Sequence, residues 1–138
     1  MNIEVFALCD AATEGGGKLN LLGAFDVILA SQLPLAHPSC AVALRIRFKR
    51  IEAGPHRIKV NVVDEDGRSN VPAFETSIDI RPTEGDESAV ANLILNFQQL
   101  RFEKFGRYSI DLAVDGRQEG SLPLYVRAVP APSERPTP

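Results

Sequence analysis

The sequence predicts an all-β protein, an immunoglobulin-like antiparallel β-sandwich of about seven to nine strands in a single domain over residues 1–129. Three observations predict it. Long stretches alternate apolar and polar side chains with the period of two that an extended chain imposes, most plainly where Val42, Leu44, Ile46 and Phe48 oppose Arg45, Arg47 and Lys49. Loops and dipeptides rich in Gly, Pro and Asp separate these stretches. The last third closes as a hairpin: Tyr108, Ile110, Leu112 and Val114 share one face, Asp115-Gly116 supplies a turn, and an apolar segment returns over 122–129.

From the amino end, residues 3–10 read as a first strand, with Ile3, Val5 and Ala7 on one face and Phe6 and Leu8 on the other. Residues 11–17 read as a loop, followed by short extended pieces at 18–22 and 24–29 hinged at Gly23. Pro34 and Pro38 lack backbone donors, so 31–39 is expected to interrupt any ladder. The clearest strand covers 40–50. Glu52-Ala53-Gly54-Pro55 turns the chain into a strand at 56–63, where Ile58, Val60 and Val62 oppose Arg57, Lys59 and Asn61. After the turn Asp64-Glu65-Asp66-Gly67, Phe74, Thr76, Ile78 and Ile80 mark a further strand against Glu75, Ser77, Asp79 and Arg81, and 82–87 is a polar loop.

Residues 89–98 fit a helix through Val90, Leu93, Ile94 and Phe97, or a strand through Ala91, Leu93, Leu95 and Phe97. Branched side chains and β neighbours favour the strand. Gly106-Arg107-Tyr108 opens the next strand, where immunoglobulin-type sandwiches carry a tyrosine corner. Neither a core Trp nor a Cys in that strand accompanies it. Residues 130–138 form a Pro-rich stretch without an apolar anchor and are expected to be a disordered tail.

The 138 residues are 44% hydrophobic, as a chain that buries one core requires. A net charge of −3 argues against nucleic acid as the main partner. Met1-Asn2-Ile3-Glu4 places an acid where a secretory signal carries Lys or Arg. No run approaches the roughly 18 apolar residues that cross a bilayer. A cytoplasmic protein without a membrane partner is expected. Cys9 and Cys40 lie in apolar segments and are expected as buried reduced thiols, since a disulfide would need an oxidising compartment. These two Cys, with His37 and His56, lack zinc-site spacing, so no metal or cofactor is expected.

Three phrases carry a family resemblance: G-K-L-N-L-L-G-A-F-D at 17–26, G-P-H-R-I-K-V-N-V-V-D-E-D-G at 54–67, and F-G-R-Y-S-I-D-L-A-V-D-G at 105–116 followed by S-L-P-L-Y-V. The chain resembles a family of small bacterial β-sandwich proteins of unknown function, over nearly its whole length. The resemblance implies a bacterial immunoglobulin-like sandwich and brings no activity or site residues with it.

Catalytic and ligand signatures fail in detail. Gly15-Gly16-Gly17-Lys18 lacks the earlier Gly and the following Ser or Thr of a phosphate loop, having Ala12 and Leu19 there. Asp64-Glu65-Asp66-Gly67, even with Glu84, Asp86 and Glu87 or Asp10 and Glu14, lacks EF-hand spacing and reads as a backbone turn. No nucleophile motif is present, and His37 and His56 have no acidic partner close in sequence.

Two surface features point to a partner. Arg45, Arg47 and Lys49 share a face of one strand, and Arg57 and Lys59 share a face of the next, so direct pairing of those strands would gather five cations on one sheet. Over residues 3–8 the first strand carries only Glu4 as an edge-protecting charge, which suits pairing with another protein or a second copy. The function expected is a non-enzymatic protein-interaction or accessory module acting through a sheet face or edge. The alternative is a module that binds a sugar or small anion through loops at one end of the sandwich.

Overall fold

The computed structural model describes residues 1–69 and 71–130; beyond Pro130 the expected Pro-rich tail lies outside the described residues. The described residues form nine strands: β1 (Asn2–Gly15), β2 (Lys18–Ala24), β3 (Val27–Ala30), β4 (Leu35–Lys49), β5 (Gly54–Val63), β6 (Phe74–Ile80), β7 (Ser88–Phe102), β8 (Gly106–Val114) and β9 (Arg117–Ala128). A single 3-10 turn (Arg50–Glu52) joins β4 to β5. One sheet has the order β2-β1-β4-β7, the other β3-β9-β8-β5-β6. Among the described residues, no helix is long and apolar enough to cross a membrane.

The alternation read from the sequence builds the core between the sheets. Val42, Leu44, Ile46 and Phe48 of β4 are fully buried, facing Ile58 and Val60 of β5, Ile110 and Leu112 of β8, and Leu124 and Val126 of β9. Residues 89–98 are a strand, with Ala91, Leu93, Leu95 and Phe97 on the core side. The β8–β9 hairpin turns at Asp115 (φ 53°) and Gly116 (φ 81°), a pair of left-handed residues that matches the twist of the flanking strands.

Two irregularities move side chains between faces, and period-two reading misses both. The β1–β4 register shifts between Ile3 and Val5, so Ile3 packs on the core together with Phe6 and Leu8. The strand expected to be interrupted over 31–39 instead begins at Leu35 and contains Pro38. β1 pairs with β4 only from Ala41 onward, so Pro38 sits where one edge of β4 is open and no ladder bond is lost. Opposite it, Gln99 adopts φ 54°, and both Leu100 and Phe102 thereafter face inward.

The outer face of the first sheet holds a second, smaller interior. Cys9, Ala41 and Ala43 are buried there against Ala12, Leu19 and Ile94. What covers them is the segment expected as a loop: β1 continues to Gly15, and with β2 it forms a two-stranded ribbon. Gly16 (φ 59°) and Gly17 (φ 76°) make its tight turn. The tip is held down where Arg45 Nη1 (3.3 Å) and Asn92 Nδ2 (3.2 Å) both donate to the Gly17 carbonyl. Small Ala41 and Ala43 let the ribbon approach closely.

After Gly23 the chain passes from one sheet to the other. Phe25 N–H donates to Leu8 O of the first sheet (3.0 Å), and Asp26 O accepts from Tyr125 N–H of the second (2.8 Å). β3 then runs parallel to β9, so the second sheet is mixed where a wholly antiparallel one was expected.

Candidate functional site

The five cations do not share a face. Arg45, Arg47 and Lys49 lie on β4 in the first sheet, while Arg57 and Lys59 lie on β5 in the second. Alternation identifies a residue's face but not its sheet, and the short connection at 50–53 crosses between layers. Most of these charges are also engaged. Glu4 accepts from Arg45 Nε (2.9 Å) and Arg47 Nε (2.6 Å), and its carboxyl is held below the usual range by those two bonds, Arg47 foremost. Arg47 also reaches Ser88 Oγ (2.9 Å). Arg57 (3.5 Å) and Lys59 (3.9 Å) share Glu75. Of these five, Lys49 alone has no ion pair to another described residue.

At one end of the two sheets, residues distant in sequence converge on His56. Its ring stacks on Phe48 with centroids 4.5 Å apart. Nδ1 lies 2.7 Å from Asp115 Oδ2 and Nε2 lies 2.6 Å from the Glu52 carbonyl. Two oxygen acceptors on one ring are both satisfied only by the imidazolium. Burial opposes that charge, but the bonds to Asp115 and Glu52 outweigh it and raise the His56 pKa. Asp115 is lowered by the Arg57 backbone N–H and then by His56. Glu52 is lowered by the terminal ammonium of Met1 (2.8 Å) and the Lys49 backbone N–H. The adjoining hollow, about 160 Å³, carries Glu52, Asp115 and Glu119 against His56, Arg117 and the Met1 ammonium, three acids to three cations. The acidic partner of His56 is 59 residues away, which is why a search of its sequence neighbourhood misses it.

The acidic turn is likewise a structural element. Asp64 Oδ1 accepts from the backbone N–H groups of Asp66 (2.9 Å) and Arg68 (3.0 Å), and Lys104 lies 3.5 Å from Asp64 and 3.3 Å from Asp66. Tyr108 OH donates to the Lys104 carbonyl (2.8 Å), the back-bond of a tyrosine corner. Among the described residues, no group of three or more His, Cys, Asp or Glu is placed to hold a metal. Cys9 and Cys40 are free and buried, on opposite faces of the first sheet; burial pushes the Cys40 thiol up to about 11.

The edges differ in protection. β6 carries Glu75 and Asp79, and β7 carries Arg101 and several amides. β3 has four residues. The first strand is partly an edge, since β2 joins it only from Cys9 on. There, however, Ile3 and Phe6 pack over Gly120 of β9, where an added Cβ would lie 3.2 Å from the Phe6 ring, and Glu4 is held by two arginines. Strand β2 is different: after Lys18 it reads Leu-Asn-Leu-Leu-Gly-Ala, with no charge and no proline. Leu22 is 73% exposed and Leu21 39%. A groove of about 350 Å³ runs along it, lined by Ala11, Ala12, Thr13, Asn20, Leu21 and Leu22. The signal was present in the sequence as an uncharged apolar run of edge length, but reading 11–17 as a loop hid the ribbon that presents it.

Among solved structures, the chain is similar to the Pseudomonas fluorescens alkylpurine DNA glycosylase AlkC bound to DNA containing an abasic site analog, at 14% identity over 74% of this chain with a TM-score of 0.41. The chain spans 28% of that protein's length. No curated protein matches it. The model of a sequence family matches residues 4–127: the chain belongs to DUF6941, a family of unknown function.

Proposed function

We propose that this chain is a non-enzymatic, cytoplasmic protein-interaction module, an immunoglobulin-like sandwich that presents the β1–β2 ribbon to another protein. The observation that carries the reading is strand β2, an uncharged edge with Leu21 and Leu22 exposed beside an apolar groove. Unpaired backbone groups give affinity to an added strand, and a neighbouring apolar groove gives it specificity. The Tyr108 back-bond supports the immunoglobulin-like assignment. Engagement of Arg45, Arg47, Arg57 and Lys59 by carboxylates supports a protein over a nucleic acid as partner. The test is a photo-crosslinking residue at Leu22, activated in the source cell, with Ser77 on β6 as the control position. A discrete protein adduct at Leu22 and none at Ser77 is expected. Absence of any protein adduct at Leu22 would overturn the reading.

A further inference from the structure

We propose that the occupant of the β2 edge is a second copy of this chain, joined by antiparallel β2–β2 pairing about a two-fold axis at Leu21; this rests on the interaction reading above. Gly15 and Lys18 flank a two-residue turn and exchange ladder bonds, as do Thr13 with Asn20 and Ala11 with Leu22. The backbone groups of Leu19 and Leu21 therefore point away from β1 and are open to a further strand. The ribbon rests on Cys9, Ala41 and Ala43, which leaves its outer edge free, and a second ribbon would extend that edge to four strands.

The charges fit a two-fold. In the antiparallel register centred on Leu21, each Leu21 faces the other, Asn20 faces Leu22, and Lys18 faces Ala24. Asp10 packs against Gly23 at that same end of β2, its carboxylate 2.5 Å from where a glycine Cβ would stand. The one cation of each ribbon edge thus approaches the acid at the base of the other, and no like charges meet. Gly23 opposite Leu19 presents no side chain to obstruct the pairing, and its left-handed backbone (φ 71°) interrupts the regular ladder there. The contact is isologous, closing at two copies and leaving no open-ended chain.

Sedimentation of the intact chain from micromolar to millimolar concentration tests this, alongside the variants Leu21→Lys and Leu21→Cys. A dimer is expected, with a dissociation constant raised about tenfold or more by Leu21→Lys. Mild oxidation should link Leu21→Cys into a disulfide dimer, because directly opposed strand residues lie within disulfide reach. The parent chain should stay unlinked, since Cys9 and Cys40 are buried. A monomer at every concentration, with Leu21→Cys unlinked, overturns the proposal. So does a dimer indifferent to both variants. If the chain is monomeric while the Leu22 photoprobe captures a different protein, the second copy is excluded and the interaction reading stands; with neither result, both fall.

Discussion

The even-numbered and odd-numbered residues of β4 meet two different interiors. Val42, Leu44, Ile46 and Phe48 face the second sheet, each fully buried and large enough to bridge the gap between layers. Ala41 and Ala43, just as buried, face the ribbon, which lies close because they are small. The first interior is wide and holds the sheets together. The second is thin, and its cover is held at the tip by a bifurcated acceptor, the Gly17 carbonyl. Burial is the same on both faces; the volume behind it differs, and so should the response to substitution.

The largest expected effect comes from breaking the wide interior. Leu44→Ala should cost about 2–5 kcal/mol, the usual range for a fully buried leucine, read by chemical denaturation. Ala43→Leu sharpens the contrast by overfilling the thin interior. A loss of about 1–3 kcal/mol is expected, with faster amide exchange over residues 11–24 while 42–48 stays protected. Equal exchange in both regions would show that they form one interior after all.

Outside both interiors lies the His56 end, which should respond to pH. The folded His56 pKa is raised, so its contribution is fully present below the ordinary value near 6.5 and is lost as pH rises through the raised value. Asp115 and Glu52 are lowered, so theirs is present above the ordinary carboxylate range and is lost as pH falls through the lowered values. Stability should therefore be greatest on the acid side of neutrality. His56→Gln should cost about 1 kcal/mol near pH 6 and abolish the alkaline-side decline, measured as Tm against pH. The smallest effect is expected from Arg45→Ala, up to about 1 kcal/mol for a half-buried surface ion pair. Its signature is faster exchange at 15–18 with the global Tm nearly unchanged.

Much of this was legible in the sequence. The strands at 40–50, 56–63, 74–80 and 106–114 follow from alternation, and Asp115-Gly116 from the left-handed backbone its hairpin requires. What alternation cannot carry is pairing. It placed Arg45 and Arg57 on strand faces correctly but could not assign their sheets. It passed over the register shift at Glu4 and the reversal at Gln99, because one extra or left-handed residue changes parity without changing composition. Residues 11–15 looked like a loop because Ala, Thr, Glu and Gly form a strand there only with β2 alongside and Ala41 and Ala43 beneath. The five-cation face failed and the uncharged edge emerged for the same reason: both depend on which strands are neighbours.

Phe25 and Asp26, the two residues between β2 and β3, bond in opposite directions, one to each sheet. The layers are consequently riveted by main chain as well as pressed together by side chains. Separating them demands breaking that rivet first, so the two sheets should yield to force or heat as a single unit. Lengthening this link by a few flexible residues would leave every core side chain intact and still let one layer slide against the other.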